Sequence, residues 1–272
     1  MENNRLKTVV EDLEQVLLEF MRKHLVTHEE YRLATDLLIH TVKAGEESLL
    51  YDVFFEAQAT DLGNVGRKGS LEAIEGPFYL KGAPELTAPY VMPQRPEEAG
   101  DLLFFNGRVT NAEGQPIAGV ELDVWHADAL GLYSNIHSNI PEWNLRGRFH
   151  TDGNGNFEVR TVLPPPYEIP KDGPTGTVLS ALGRHFFRPA HLHVKVSHRD
   201  YRTLTSQLYF RGGKYLDSDV ASAVRDGLVA DLIKHESGSE MSKRNLSASY
   251  FELTYDFELT YDFASIPKEL SA

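Results

Sequence analysis

A mainly β chain with helices at its N-terminus is the fold class this sequence predicts, and three features carry the prediction. Apolar residues recur at three- and four-residue steps over the first sixty positions. Beyond about Gly63 that period gives way to short alternating runs, and Gly and Pro become frequent between them. Short strands separated by such loops point to a sandwich or barrel rather than a parallel α/β sheet.

Leu6, Val9, Val10, Leu13, Val16, Leu17, Phe20 and Met21 form one stripe of an amphipathic helix. Thr27, with Glu30 three residues on, fits a capping box opening a second helix that carries Leu33, Leu37, Leu38 and Val42 and can stop at Gly45. Leu49, Leu50, Val53, Phe54 and Ala57 supply a third. These stripes are too few and too narrow to enclose a core, so they must cover a sheet or a partner subunit. The chain therefore divides into a helical region, 1–62, and a β domain, 63–272.

Within the β domain, Val120 to Val124 alternates strictly, and Phe157-Glu158-Val159 follows the turn Asp152-Gly153-Asn154-Gly155-Asn156, a hairpin signal. Leu192, Val194 and Val196 alternate with His191, His193 and Lys195, and Gln207 to Phe210 begins a further strand. Residues 216–233 read as one more helix, carrying Val220, Val224, Leu228 and Leu232. Near the end, Phe251-Glu252-Leu253-Thr254-Tyr255-Asp256 is repeated at once as Phe257-Glu258-Leu259-Thr260-Tyr261-Asp262, and every odd position from Phe251 to Phe263 is apolar. A six-residue duplication preserves side-chain parity, so either copy can pair with its apolar face inward and one copy suffices.

Composition narrows the function. In 272 residues, 27 Lys and Arg stand against 40 Asp and Glu, a net charge of −13 that opposes nucleic-acid binding. With no Cys, disulfides, thiolate nucleophiles and thiolate metal sites are excluded together. Met1 to Arg5 shows no apolar leader, and no apolar run approaches the ~18 residues of a membrane span. A cytoplasmic protein is expected.

The sharpest local signal is Arg188-Pro189-Ala190-His191-Leu192-His193. On a strand both imidazoles share one face, where they can hold a metal or form an ordinary solvated pair. Further ligands are scarce: Cys is absent and the carboxylates fall into no recognisable site. Tyr133, in a loop after a strand, and Tyr167, behind the run Pro164-Pro165-Pro166, are candidates of the remaining type. Each also fits a corner aromatic whose hydroxyl bonds to backbone.

Taken in order, Asp123-Val124-Trp125-His126-Ala127, Gly131-Leu132-Tyr133-Ser134, Asn144-Leu145-Arg146-Gly147, Pro166-Tyr167-Glu168-Ile169-Pro170, Gly183-Arg184-His185, the Arg188 to His193 segment and Thr205-Ser206-Gln207-Leu208 resemble the intradiol ring-cleaving dioxygenases. The likeness runs from about Leu6 to Leu232 and is to the catechol 1,2-dioxygenase branch. Ile140-Pro141-Glu142-Trp143-Asn144, Tyr167 to Gly176 and Leu208-Tyr209-Phe210 are most similar to its chlorocatechol members. The doubled ending departs from the family's single terminal strand.

The resemblance implies a mixed-topology β-sandwich catalytic domain with an N-terminal helical dimerisation region. It also implies one non-haem Fe(III) per subunit, held by Tyr133, Tyr167, His191 and His193. Two phenolates and a hydroxide balance the trivalent charge, and hard oxygen donors suit so hard a cation. By the same resemblance the substrate is a catechol cleaved by O2 to a cis,cis-muconate, with Tyr167, opposite His193, leaving the metal as a proton acceptor. Arg188 stabilises charge on the ring, and Gln207 donates near the O2 side. The pocket maps to Leu49, Asp52, Val53, Ile74, Pro77, Phe78, Tyr79 and Ala221, where small Val53 and Ala221 leave room for a chloro or methyl substituent. The apolar stripe of the first helix, uncovered in one chain, predicts a homodimer through paired N-terminal helices, and members of the family can hold a lipid between these helices. Hydroxyquinol 1,2-dioxygenase is the alternative within the class, a non-catalytic β-sandwich carrier or binding protein the alternative from another, and a zinc hydrolase a third.

Overall fold

The computed structural model describes residues 2–262; Met1 and residues 263–272, Phe263 among them, lie outside the described residues. The chain opens with α1 (Glu2–His24) and α2 (His28–Ala44). The expected capping box starts α2: Thr27 Oγ1 accepts from Glu30 N at 3.2 Å and Glu30 Oε2 from Thr27 N at 2.8 Å. Gly45, left-handed at φ 69°, closes it. The third helical run is α3 (Glu47–Tyr51), one π turn (Asp52–Glu56) and α4 (Ala57–Asn64). Leu49, Leu50, Val53 and Ala57 are buried there, whereas the α1 stripe from Leu6 to Phe20 is exposed.

The β region begins with β1 (Tyr90–Val91), β2 (Leu102–Asn111), β3 (Glu121–Trp125), β4 (Arg146–His150), β5 (Asn156–Val162) and β6 (Tyr167–Glu168). After α5 (Pro174–Ala181) come β7 (Phe187–Arg188), β8 (His191–His198), β9 (Tyr201–Phe210), β10 (Val229–Ala230) and β11 (Leu232–His235). The short α6 (Gly238–Lys243) precedes β12 (Tyr250–Thr254) and β13 (Phe257–Leu259). One sheet runs β10-β9-β8-β3-β4; the other runs β1-β5-β2-β12-β11, with β13 also on β2. Both are mixed: β10 is parallel to β9, while β1 is parallel to β5 and β12 to β2. Leu103, Phe105, Val159 and Leu253 of one sheet interlock with Leu122, Val124, Leu192 and Leu208 of the other in a single fully buried core, which makes the pair a sandwich.

Three expectations are corrected. The 152–156 turn forms, with Asp152 Oδ1 accepting from Asn154 N and Asn156 N at 2.8 Å, but it is no hairpin. It joins β4 at the edge of one sheet to β5 inside the other, because β4 pairs with β3 and β5 with β2. No helix spans 216–233: those residues form turns, a 3-10 turn (Asp226–Leu228), β10 and the start of β11. Their four-residue apolar spacing instead seats Val220 in one cluster, Val224 and Leu228 in a second and Leu232 against the sandwich core. Finally, both copies of the duplicated hexapeptide pair with β2, not one.

The first copy reaches Thr254 opposite Asn106, and the second resumes with Phe257 opposite Val109. Between them the chain crosses Gly107, where a Cβ would lie 1.9 Å from Tyr255 O, so only glycine admits the step. Parity holds across it, leaving Leu253, Phe257 and Leu259 buried. Leu253→Ala and Phe257→Ala should therefore each destabilise, the phenylalanine by about 3–5 kcal/mol. Urea unfolding measures this, and a silent Phe257→Ala would mean that the second copy is idle.

Candidate metal centre and substrate cavity

Strand parity builds the centre. Leu192, Val194 and Val196 point into the sandwich, which turns His191 and His193 to the outer face of the five-stranded sheet. Pairing then sets Arg146, Trp125, His193 and Gln207 in one cross-strand row, with His191 and Tyr209 opposite each other beside it. This face is not solvated. Both histidines, Trp125, Arg146, Gln207 and Tyr209 are buried beneath α3, the π turn, α5 and the loops at 74–79 and 219–223.

The two tyrosines arrive from loops. Pro164 to Pro166 leads into the two-residue β6, which pairs with β7 and sets Tyr167 opposite Arg188. Tyr133 lies in a loop pinned by Asp128, whose Oδ1 accepts from Leu130 N and Leu132 N at 2.9 and 3.0 Å. Gly131, at φ 82°, lets the segments meet: a Cβ there would stand 2.5 Å from Tyr167 Cβ. The Tyr133 and Tyr167 rings pack edge to face at 5.5 Å between centroids, Tyr167 lies 5.6 Å from His191, and Tyr133 lies 6.3 Å from His193. Tyr133 Oη is buried without a hydrogen-bond partner.

The imidazoles face each other with Nε2 atoms 3.0 Å apart. His191 Nδ1 donates to Pro189 O at 2.7 Å, leaving Nε2 to present its lone pair. Trp125 stacks on His193 at 4.7 Å and 12°, fixing that ring's plane. Burial first, then Arg188, pulls His191 down to about 3. Burial and then the neighbouring His191 hold His193 well below its ordinary value, so both are neutral bases. Burial also raises both phenols, Tyr133 further through Tyr167, while Arg188 opposes the rise at Tyr167.

Arg188 ties the centre to its surroundings. Its Nη1 lies 3.3 Å from His191 Nε2, and its Nη2 donates to Gln207 Oε1 at 2.9 Å and Tyr209 Oη at 3.0 Å. Asp219 accepts from it on both oxygens at 3.2 Å. Burial opposes the charge of each partner, yet their attraction prevails and keeps Arg188 protonated and Asp219 below the usual carboxylate range. Gln207 Nε2 donates to Ile74 O at 2.9 Å and stands 3.2 Å from His193 Nδ1.

A cavity opens over His193, Tyr167 and Arg188. Leu49, Asp52, Val53, Ile74, Pro77, Phe78 and Ala221 line it together with Ile169 and Gly76. The π turn carries Asp52 and Val53 to it, and Glu56 Oε1 tethers the opposite loop by accepting from Glu75 N at 2.8 Å and Gly76 N at 3.3 Å. Tyr79 stands outside this lining. Its hydroxyl donates to Asp123 Oδ2 at 3.1 Å and its ring packs 4.8 Å from that of Trp125.

Several residues of the site carried no sequence expectation. Trp125 and Tyr209 were within reach of parity, since each shares a strand face with a polar neighbour opposite the core. Arg146 lies inside a quoted motif; its Nε donates to Ser134 Oγ at 2.9 Å and its Cζ stands 5.7 Å from the Tyr133 ring. Asp219 was concealed by the helical reading of 216–233.

Could this donor set hold a metal ion? Among the described residues no cluster of three His, Cys, Asp or Glu exists. Two neutral imidazoles with two buried phenols, one unpaired, nevertheless suit a small, highly charged cation. Only such an ion can ionise phenols whose pKa burial has raised.

Sandwich and centre together define the class: the chain belongs to the intradiol dioxygenase family. Residues 74–261 match the family described as Dioxygenase, and residues 3–69 match Catechol dioxygenase N terminus. The chlorocatechol 1,2-dioxygenase of Rhodococcus opacus is 39% identical, the match covering 88% of this chain and 95% of the relative. The catechol 1,2-dioxygenase of Acinetobacter baylyi is 31% identical, with 93% and 85% covered. Among solved structures, 3-chlorocatechol 1,2-dioxygenase from Rhodococcus opacus superposes with a TM-score of 0.89 at 41% identity, covering 96% of this chain and 100% of that one. Hydroxyquinol 1,2-dioxygenase from Pseudomonas putida gives 0.85 at 30%, with 95% and 92% covered.

Asp123, on the same sheet face, yields a pH prediction. Burial pushes it up to about 6 against the lowering effect of the Tyr79 hydrogen bond. The folded state thus holds a proton more firmly than the unfolded chain, and stability complete below pH ~4 is lost as pH rises toward 6. Asp123→Asn keeps an acceptor for Tyr79 and cannot ionise. Its stability relative to the parent should be higher at pH 8 than at pH 5 by about 1 kcal/mol, read by urea unfolding. An equal effect at both pH values would contradict the assignment.

Proposed function

We propose that the chain is an intradiol dioxygenase that cleaves catechols, with ring-substituted (chloro or methyl) catechols its principal substrates, using O2 and giving cis,cis-muconates. One Fe(III) per subunit is held by Tyr133, Tyr167, His191 and His193. The observation that carries this reading is the convergence of these four buried donors, one of them an unpaired hydroxyl. A ferric ion held there would supply the electron acceptance that makes a bound ring diol reactive toward O2.

The protein's own groups do the rest. Tyr167, beside Arg188, takes a catechol proton at Oη as substrate binds. The Arg188 guanidinium, desolvated and held by Asp219, faces the ring and stabilises negative charge there. Leu49, Val53, Ile74, Pro77 and Phe78 hold the ring's apolar faces and keep water from it. Small Val53 and Ala221 leave space for the substituent. A hydroxyquinol reading is favoured by one feature, the half-buried Asp52 in the lining, which could accept from a third ring hydroxyl. Purified enzyme should be burgundy with stoichiometric iron, and it should turn over chloro- or methylcatechols at higher kcat/KM than hydroxyquinol. Tyr167→Phe should lose colour and lose turnover by about 100-fold or more. Full colour and rate in that variant would remove Tyr167 from the ligand set.

A homodimer through the N-terminal helices belongs to the same proposal. Leu6, Val9, Val10, Leu13, Val16, Leu17 and Phe20 expose an apolar stripe that one chain leaves uncovered, and the same surface is the proposed seat of a lipid. Removing residues 1–24 should convert the dimer to monomer by sedimentation; an unchanged dimer would place the interface elsewhere.

A further inference from the structure

Asp219 contacts two residues of the cavity lining, Arg188 and Ala221, and its hydrogen bonds divide between two parts of the site. Oδ1 accepts from Arg188 Nε and from Ala221 N, both at 3.2 Å. Oδ2 accepts from Arg188 Nη2 at 3.2 Å and from Ala223 N at 3.0 Å. One carboxylate therefore holds the guanidinium that faces the ring and also shapes the loop whose Ala221 forms part of the cavity wall. The loop is not relaxed: Ser222 adopts φ 51°, and its N–H donates to Asp219 O at 2.8 Å. A left-handed non-glycine residue persists only where its surroundings dictate it, and here they are the backbone and side chain of Asp219. Val220 N, donating to Phe187 O at 3.2 Å, fastens the same loop to β7 next to Arg188.

We propose that Asp219 is a positioning residue that couples Arg188 to the wall at Ala221, so that charge stabilisation and discrimination between ring substituents are set together. The proposal rests on the ring-cleavage reading above. Both partners are almost wholly buried, with side-chain exposures of 5% for Arg188 and 1% for Asp219. A pair so placed adds little net stability over a well-packed apolar substitute, and its distinctive contribution is orientation. The fork fits that role, since two parallel contacts from Nε and Nη2 fix the guanidinium plane and aim Nη1 at the metal-facing nitrogen of His191. The substrate-facing end of Arg188 cannot turn without releasing the loop, nor the loop shift without tilting the guanidinium.

Asp219→Asn tests this, because it preserves size while its amide meets Arg188 Nη2 and Ala223 N–H donor to donor. Iron content and the visible band of the resting enzyme should match the parent. The kcat for catechol should fall about 10–100-fold. The kcat/KM ratio of 4-chlorocatechol to catechol should shift by at least about threefold, with a parallel change in the two dissociation constants from anaerobic titration of the visible band. A kcat and ratio both within twofold of the parent would overturn the proposal, as would a fall in kcat with the ratio unmoved. Should Asp219→Asn fail to fold or load iron, Asp219→Glu retains the charge but displaces it by one methylene, and the same joint shift or its absence decides. A parent without iron or turnover would overturn the ring-cleavage reading itself, whereas an active parent with an indifferent variant overturns only the coupling.

Discussion

Desolvation of a polar sheet face is the constraint on which this structure depends. His191, His193, Tyr133 and Tyr167 are buried, and two of the imidazole nitrogens face each other at 3.0 Å. In such a place water cannot satisfy the donors, so imidazoles stay neutral and phenols stay protonated until a cation arrives. The neighbouring cations act in two directions: Arg188 and Arg146, the latter with Nη1 unpaired near the Tyr133 ring, further disfavour imidazolium, yet they offset part of the effect of burial on the phenols. A weakly charged ion would gain little from phenols held protonated by burial; a trivalent one, able to displace both protons, gains most.

The same strands serve two purposes because of the two-residue period. In β8, Leu192, Val194 and Val196 close the sandwich while His191 and His193 face the centre; in β9, Leu204, Leu208 and Phe210 do the first while Gln207 and Tyr209 do the second. Sandwich packing therefore fixes the residues of the outer sheet face as firmly as it fixes the core. A slip of one residue in β8 would bury imidazoles among leucines and leave valines at the centre, so register errors are strongly disfavoured.

That coupling explains what could be read from the chain alone. Alternation exposed the common face of His191 and His193, and ordered motifs brought in Tyr133, Tyr167, Arg188 and Gln207, which the fold assembles around one point. What local pattern could not carry is which strand neighbours which. The 152–156 turn has every feature of a hairpin, yet β5 finds its partner in β2, far away in sequence. Residues 216–233 satisfy a helical spacing, but the Asp219 carboxylate draws backbone N–H groups of Ala221 and Ala223 into a turn instead. Tyr79 neighbours Phe78 in the chain and turns the opposite way, captured by Asp123 across the sheet. In each case a tertiary hydrogen bond or pairing overrode a sound local signal.

On the proposed function, chemistry and selectivity fall to different parts of the molecule. The donors stand on or against the five-stranded sheet, whereas the cavity wall is contributed by the π turn, the 74–78 loop and the turn after Asp219. Val53 and Ala221 line the cavity and belong to no strand, so a methyl can be gained or lost there without entering strand pairing. The sheet face tolerates no such exchange, since each residue of the Arg146, Trp125, His193, Gln207 row is packed by its neighbours in the row. Divergence in substrate among relatives of closely similar fold, including structures of chlorocatechol and hydroxyquinol dioxygenases at TM-scores of 0.89 and 0.85, is what this division would produce. Asp219 is the point at which the division is incomplete, because there one carboxylate belongs to both the covering loop and the charged apparatus beneath it.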